Sequence, residues 1–192
     1  MQVSHLKYLA LTGLFFSMTY AEAAVFNQVV PEKSTLNFGY KQMGVPLEGK
    51  FKKFTAKIDF DQARPEQAQA QFDIDIASID TGSSEGDSEV VGKGWFNAKA
   101  FPKATFVSSS IKSLGANRFE VQGKLVIKGK TLPVLAPFTF KPDGANAVFD
   151  GAFNIKRTDY AIGEGEWADE STIANLIHIR FHITVAPAVA KK

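Results

Sequence analysis

The sequence predicts an all-β domain in which eight antiparallel strands close into a barrel, and three observations support this fold class. Apolar and polar residues alternate with a period of two in eight segments, as they do in strands that bury one face. Turn sequences such as Gly115-Ala116-Asn117 separate most of these segments. The two longer connections show no change of composition that would mark a linker, so we expect one domain. Eight short strands close most simply into a barrel.

In chain order, the predicted strands cover residues 34–41, 49–60, 69–77, 103–110, 118–128, 132–141, 147–155 and 175–185. The second segment changes phase, because its apolar positions are odd at Phe51 and even from Phe54 onwards. One extra residue near Lys52-Lys53 therefore predicts a β-bulge that bends this strand. A short helix is predicted around residues 88–98, in the connection between the third and fourth strands.

The first 23 residues have the features of a secretory signal peptide. Residues 8–18 form an apolar run of 11 residues, which is too short to span a bilayer as a helix. Small residues at Ala21 and Ala23 stand at the usual cleavage spacing, so we expect cleavage after Ala23. The alternative is an uncleaved amphipathic anchor. Cleavage would leave residues 24–192 as a periplasmic protein that is soluble without detergent.

The composition excludes several classes of function. Lys and Arg number 22 against 20 Asp and Glu, which is too balanced for a dedicated nucleic-acid-binding protein. The absence of cysteine excludes disulfides, thiol nucleophiles and thiolate zinc sites. With 17 Phe but only 4 Tyr and 2 Trp, the chain lacks the aromatic girdles of an outer-membrane barrel. What remains is a Phe-rich barrel that either encloses an apolar ligand or is packed solid.

No group of residues suggests catalysis or metal binding. Asp80-Thr81-Gly82 matches the active-site turn of aspartic proteases, whose chemistry needs two carboxylates that share one proton. The triplet occurs once, so the remote alternative is a homodimeric protease that uses Asp80 from each chain. His178 and His182 are about 13 Å apart if they lie on one strand, too far to hold one ion. We therefore predict no catalytic residue, no metal site and no cofactor.

Five stretches of the chain together resemble the YceI-like family of exported proteins. These stretches are residues 78–82, 95–97, 101–106, 123–129 and 155–163. None of them is specific alone, but their order and spacing extend over essentially the whole chain after the signal peptide. One departure stands out, because Gly86-Asp87 occupies the place where many members have an Arg-Asp pair. Without that Arg, a pyrophosphate head group is a weaker expectation for the ligand.

The resemblance implies a lipocalin-like, eight-stranded barrel that binds a polyisoprenoid, an isoprenoid quinone or a similar long-chain lipid along its axis. The predicted contacts are the apolar residues of the inward phase, with two tryptophans of the long connections at the mouth. They are Phe38, Phe72, Ile74, Phe106, Leu125, Phe138, Phe140, Phe153, Ile155, Ile179 and Phe181, with Trp95 and Trp167 at the mouth.

A second hypothesis stays open at this stage. The same side chains would then pack into a solid core, and the barrel would act as an adaptor through its outer face. Transient contact with a membrane or a membrane protein, and a homodimer, are also left open, whereas nucleic acid is not expected as a partner.

Overall fold

The structure is a computed structural model that describes residues 25–188, so the predicted signal peptide and its cleavage site lie outside the described residues. Its strands are β1 (Val25–Val29), β2 (Thr35–Gln42), β3 (Val45–Phe51), β4 (Phe54–Asp61), β5 (Gln69–Asp75), β6 (Ile79–Asp80), β7 (Lys103–Gly115), β8 (Arg118–Ile127), β9 (Lys130–Asp143), β10 (Asn146–Lys156) and β11 (Leu176–Pro187). The helix α1 spans Ser84–Val90, and short 3₁₀ turns lie at Pro31–Lys33, Pro65–Gln67, Ile76–Ser78, Arg157–Tyr160 and Gly165–Trp167. Within residues 25–188, no helix has the length and apolar character needed to cross a membrane.

The strands form one closed antiparallel barrel with eight strand positions, which confirms the predicted fold class. β1 and β2 share one position, because β1 pairs with β4 and β11 while β2 pairs with β3 and β11. β3 and β4 share the next position, and β5, β7, β8, β9, β10 and β11 supply the other six. The ring closes where β11 pairs with β10 on one side and with β1 and β2 on the other. The sequence did not predict β1 and the two-residue β6, which are short.

The predicted irregularity in the second segment lies at Lys52-Lys53, where the strand stops after Phe51 and restarts at Phe54. The two lysine backbone N–H groups donate to Ser78, one to its carbonyl oxygen and one to its Oγ, both at 3.0 Å. The turn that carries Ser78 therefore takes the place of a neighbouring strand here. The interruption is larger than a one-residue bulge, because it separates β3 from β4.

The helix lies earlier in the chain than predicted. It begins at Ser84, not at residue 88, because Ser83 caps it by accepting a hydrogen bond from the Gly86 backbone N–H at 3.0 Å. It ends at Val90, and the chain then turns, with the Trp95 N–H donating to the carbonyl of Gly92. Trp95 is therefore held on a turn that follows the helix.

Two groups of buried apolar side chains divide the barrel along its axis. The base cluster lies at the end that carries the β7–β8 and β9–β10 hairpins. It comprises Phe26, Ile58, Phe60, Ala68, Ile111, Phe119, Val121, Ala136, Phe138, Phe140, Ala147, Phe149, Ile183 and Val185. The mouth cluster lies at the opposite end, under α1 and the loop that precedes β11. It comprises Ile74, Ile76, Trp95, Ala104, Leu125, Ile127, Ile155, Tyr160, Ile162 and Ile173.

Candidate ligand cavity

The mouth half of the barrel encloses a cavity of about 570 Å³, with side chains of the base cluster as its floor. This volume lies within the range of roughly 300–1,000 Å³ that is usual for small-molecule sites. The walls come from the inward-facing residues of the strands, which the period-two alternation turns towards the axis. The lining is mostly aliphatic and aromatic, and only three of its residues are charged, namely Glu85, Glu89 and Arg157.

Twelve of the thirteen residues predicted to contact a ligand line this cavity. They are Phe38, Phe72, Ile74, Trp95, Phe106, Leu125, Phe138, Phe153, Ile155, Trp167, Ile179 and Phe181. The alternation identified the ten that lie on strands, because it distinguishes the inner face of each strand from the outer face. Trp95 and Trp167 were predicted at the mouth because they lie on the two long connections. Contact between these twelve residues and a ligand remains a prediction.

Phe140 is the exception and does not line the cavity. It is 2% exposed and packs in the base cluster, with ring centroids 5.6 Å from Phe26, 5.3 Å from Phe60 and 5.5 Å from Phe149. Its inward orientation was predicted correctly, but its place in a ligand site was not. The reason is its position along the barrel axis. Phe140 lies two residues further along β9 than Phe138, towards the base.

Two aromatic rings of the cavity wall pack closely against glycines in the neighbouring strand. Phe38 faces Gly49 across the β2–β3 pair, and Phe181 faces Gly151 across the β10–β11 pair. A methyl group on either glycine would collide with the ring that lies over it. These glycines were not singled out in the sequence, although a glycine inside a strand pattern is a recognised sign of close approach.

Arg157 organises the loop that borders the cavity, and the sequence analysis did not single it out. Its side chain is buried, and it donates to the carbonyl oxygens of Ile173 (2.8 and 3.2 Å), Ile162 (3.0 Å) and Gly163 (3.0 Å). Burial lowers the pKa of this guanidinium, and the nearby Glu170 carboxylate partly offsets that effect. The hydrogen bonds thus direct the N–H donors of Arg157 at the backbone of the loop.

The two tryptophans predicted at the mouth come together there. Their ring centroids are 5.5 Å apart, and the Arg157 guanidinium carbon lies 5.9 Å from the centre of the Trp95 ring. The Trp167 Nε1–H donates to Glu89 Oε1 at 2.8 Å, which joins the loop to α1 across the mouth. The Trp95 Nε1 is buried and has no hydrogen-bond partner among the described residues.

Asp80 and Asp87 hold the turn that leads into α1. Asp80 accepts a hydrogen bond from the Gly82 N–H at 3.1 Å and lies 3.9 and 3.8 Å from the amino groups of Lys50 and Lys52. Asp87 accepts from the Thr81 N–H at 2.6 Å and from its hydroxyl at 2.8 Å. The backbone hydrogen bond from Thr81 lowers the pKa of Asp87. The Asp-Thr-Gly motif is thus part of a hydrogen-bonded turn.

The two histidines lie on the outer face of β11, as the alternation predicts. His178 Nδ1 lies 2.7 Å from Asn154 Oδ1, and His182 Nδ1 lies 2.6 Å from Asp150 Oδ1. Each ring therefore interacts with the neighbouring strand β10, away from the cavity.

Several known proteins are similar to this chain in sequence or in fold. The sequence model of the YceI-like domain family matches residues 28–185 of this chain. A curated relative from Azotobacter vinelandii, called UPF0312 protein, is 31% identical over 134 residues, which are 66% of this chain and 70% of the relative. The crystal structure of BcnA from Burkholderia cenocepacia is 46% identical with a TM-score of 0.80, and the match covers 82% of this chain and 99% of BcnA.

A more distant structure shares the fold. It is described as a polyisoprenoid binding domain from Saccharophagus degradans implicated in plant cell wall breakdown. It is 15% identical with a TM-score of 0.63, and the match covers 87% of this chain and 100% of that domain.

Proposed function

Because this chain belongs to the YceI-like family, we propose that it is a non-enzymatic binding protein that holds a long apolar lipid inside its barrel. The ligand class that we propose is a polyisoprenoid, with or without a ring at its head. The description of the Saccharophagus degradans domain as polyisoprenoid binding supports this class for a barrel of the same fold. The proposed site of action is the periplasm, after cleavage following Ala23.

The observation that carries this proposal is the apolar cavity of about 570 Å³ in a barrel whose other half is packed. Burial of apolar surface contributes about 25 cal/mol per Å². A tail that buries several hundred Å² therefore gains on the order of 10 kcal/mol before the costs of ordering the ligand and the protein. A hydrocarbon chain needs no polar partner along its length, and the walls offer few polar groups.

The absence of catalysis is part of the proposal. Asp80 is engaged by Gly82, Lys50 and Lys52, and the two histidines face outwards. An acid, a base and a nucleophile that converge on one point are what an active site requires. Of the polar groups around the cavity, the Arg157 guanidinium and the Glu89 carboxylate form hydrogen bonds that hold loops together.

The test begins with protein released by osmotic shock and purified without detergent. Solvent extraction followed by mass spectrometry should find a prenyl lipid bound to the wild-type protein. Two matched variants then separate a ligand cavity from a solid core. Phe153→Trp places a larger ring in the cavity wall, and Phe140→Trp makes the same change in the base cluster.

We expect Phe153→Trp to reduce the bound lipid several-fold while the free energy of unfolding of the lipid-free protein changes by less than about 1 kcal/mol. Phe140→Trp should instead destabilise the fold by about 1–3 kcal/mol through overpacking and leave lipid binding unchanged. If the wild-type protein carries no lipid and takes none up, and both variants only lower stability, the carrier function is wrong. The adaptor hypothesis would then replace it.

A further inference from the structure

We infer that the tip of the β2–β3 hairpin inserts into the surface of a phospholipid bilayer without net charge, and that the mouth of the cavity faces the membrane there. The hairpin tip is defined as residues 42–47, with the sequence Gln-Met-Gly-Val-Pro-Leu. The inference rests on the proposed lipid-binding function, because a long apolar lipid resides in a membrane before a barrel takes it up. It adds the partner that supplies this lipid.

The first observation is a group of exposed apolar side chains at the mouth end. Of the seven large hydrophobic residues that are exposed in the described chain, three lie in the hairpin tip, namely Met43 (73%), Val45 (57%) and Leu47 (36%). A fourth, Leu176, begins β11, the strand that pairs with β2. Single apolar residues are common on protein surfaces, whereas a group of them marks an interaction site.

The second observation is a residue that its own backbone conformation does not favour. Met43 and Gly44 form the two-residue turn between β2 and β3, with φ of 47° and 80°. Turns with two positive φ values strongly prefer Asn-Gly or Asp-Gly. A long side chain is unfavourable in the left-handed region, and that of Met43 is too exposed to recover this cost by packing. Folding alone does not explain the Met, whereas burial of its side chain in lipid does.

The third observation is that the hairpin tip continues the wall of the cavity. Val45 pairs with Gln42 and Leu47 pairs with Tyr40, and residues directly opposite each other on paired strands project from the same face. Gln42 and Tyr40 line the cavity. Val45 and Leu47 therefore extend the apolar wall beyond the mouth. A lipid that crosses this face from a membrane stays in contact with apolar groups.

The hairpin tip is anchored at its base and free at its end. The Met43 N–H donates to the carbonyl of Thr172 at 2.8 Å, and the Ala174 N–H donates to the carbonyl of Lys41 at 2.9 Å. At the turn itself, a methyl group on Gly44 would meet no atom within 4 Å. Insertion of the turn into lipid therefore requires no rearrangement of the barrel.

The charges around the hairpin tip favour a surface without net charge. Lys41 and Glu48 flank the tip with opposite signs, and no charged residue lies between them. Glu85 and Glu89 line the cavity at its mouth. These carboxylates would repel an anionic bilayer at close range, whereas the insertion of apolar side chains needs no charge on the lipid.

A protein partner matches this surface less well. Four side chains of this size expose on the order of 400 Å², about half of what each partner buries in a stable protein–protein interface. Among the described strands, β3 pairs with β6 only at Lys50 and Phe51, which leaves the edge of the tip open. Pro46 on that edge has no N–H to offer to an added strand.

The test measures how the ligand-free protein partitions onto vesicles of pure phosphatidylcholine in a flotation assay. The wild-type protein should float with the vesicles. Met43→Asn should reduce the partition coefficient about tenfold, because one large apolar side chain no longer enters the lipid. Since Asn suits the turn better than Met does, this variant should melt at the same or a higher temperature. Loss of binding then does not come from unfolding.

The matched control is Leu114→Asn, which makes the same kind of change at a residue that is 50% exposed at the base end. It should leave the partition coefficient unchanged. Replacing part of the phosphatidylcholine by phosphatidylglycerol should not strengthen the binding of the wild type.

A direct signal for insertion comes from a fluorophore at the tip. The chain has no cysteine, so Met43→Cys and Leu114→Cys each carry a single polarity-sensitive label. Vesicles should shift the emission to shorter wavelength only for the label at position 43.

Several results would overturn the inference. They are a wild-type protein that does not float, Met43→Asn that binds as the wild type does, Leu114→Asn that loses as much, or tighter binding to the anionic vesicles. Self-association of the wild type that Met43→Asn abolishes, without vesicle binding, would identify a second copy as the partner. The solvent extraction described above tests the proposed function separately, because ligand-free protein can bind vesicles whether or not the cavity takes up a lipid.

Discussion

The two ends of this barrel are built from the same strands, yet one end is solid and the other is hollow. At the base, the Phe60 ring lies 5.0–5.3 Å from the rings of Phe119, Phe140 and Phe149 and 6.3 Å from that of Phe138. These edge-to-face and stacked arrangements are the favourable geometries for aromatic pairs. In the mouth half, the strands instead enclose the apolar cavity, and Phe38 in its wall packs closely against Gly49 of the neighbouring strand.

The ends also differ in what holds them in place. The base depends on apolar packing, with Phe60 only 1% exposed. The mouth depends on polar links between loops, such as the four hydrogen bonds of Arg157 and the one between Trp167 and Glu89. A ligand site needs an end that opens without unfolding the rest, and polar links between loops allow this more readily than a packed core does.

The largest expected effect comes from removing a ring at each end. Phe60→Ala should lower the free energy of unfolding by about 3–5 kcal/mol, because it leaves a cavity among four rings. Phe72→Ala, at the cavity wall, should cost about 1–2 kcal/mol, because that side chain is only partly buried. Urea denaturation of the lipid-free proteins measures both values. Equal losses would mean that the two ends do not differ in packing.

The second prediction concerns the polar organisation of the mouth. Arg157→Met keeps a long side chain but removes every donor to the carbonyls of Ile162, Gly163 and Ile173. Leaving these buried oxygens unpaired should cost about 2–4 kcal/mol. Amide hydrogen exchange should show faster exchange in residues 161–174 and little change in the base strands. Uniformly faster exchange across both ends would contradict a separate organisation of the mouth.

Much of the fold could be predicted from the sequence because successive residues of a strand point to opposite faces of the sheet. The eight strand positions and the inward orientation of the eleven predicted contacts on strands follow from this period. The strand β1 was missed because five residues that include Asn27-Gln28 carry too weak a pattern. The helix was misplaced because its start depends on the side-chain cap at Ser83, which the pattern of apolar residues does not indicate.

The site could be predicted only in part, because the alternation gives no information on where a residue lies along the barrel axis. It could not distinguish Phe140 at the base from Phe138 at the floor of the cavity. Nor could it show that the Arg157 guanidinium would meet three backbone carbonyls from a loop up to sixteen residues away. Those hydrogen bonds depend on the path of the loop, which has no periodic signature.

The smallest expected effect is a pH dependence of stability that comes from Asp87 at the mouth. The pKa of Asp87 is lowered chiefly by the backbone hydrogen bond from Thr81, so the folded state favours its ionised form. Its contribution to stability is therefore fully present above the pKa of an unfolded Asp, about 3.9, and is lost as the pH falls through the lower folded value. Asp87→Asn should cost about 1 kcal/mol or less at pH 7, and the difference from the wild type should vanish in acid.

The control for this pH effect is Asp61 near the base, whose pKa is lowered chiefly by the hydrogen bond from the Arg64 side chain. Asp61→Asn should show a pH dependence of the same sign, because its carboxylate is also stabilised in the folded state. Hydrogen exchange separates the two variants. Only Asp87→Asn should speed exchange in α1, since Asp87 joins that helix to Thr81, whereas Asp61 joins the end of β4 to the following turn. Faster exchange of α1 in both variants would show that the mouth and the base respond to charge as one unit.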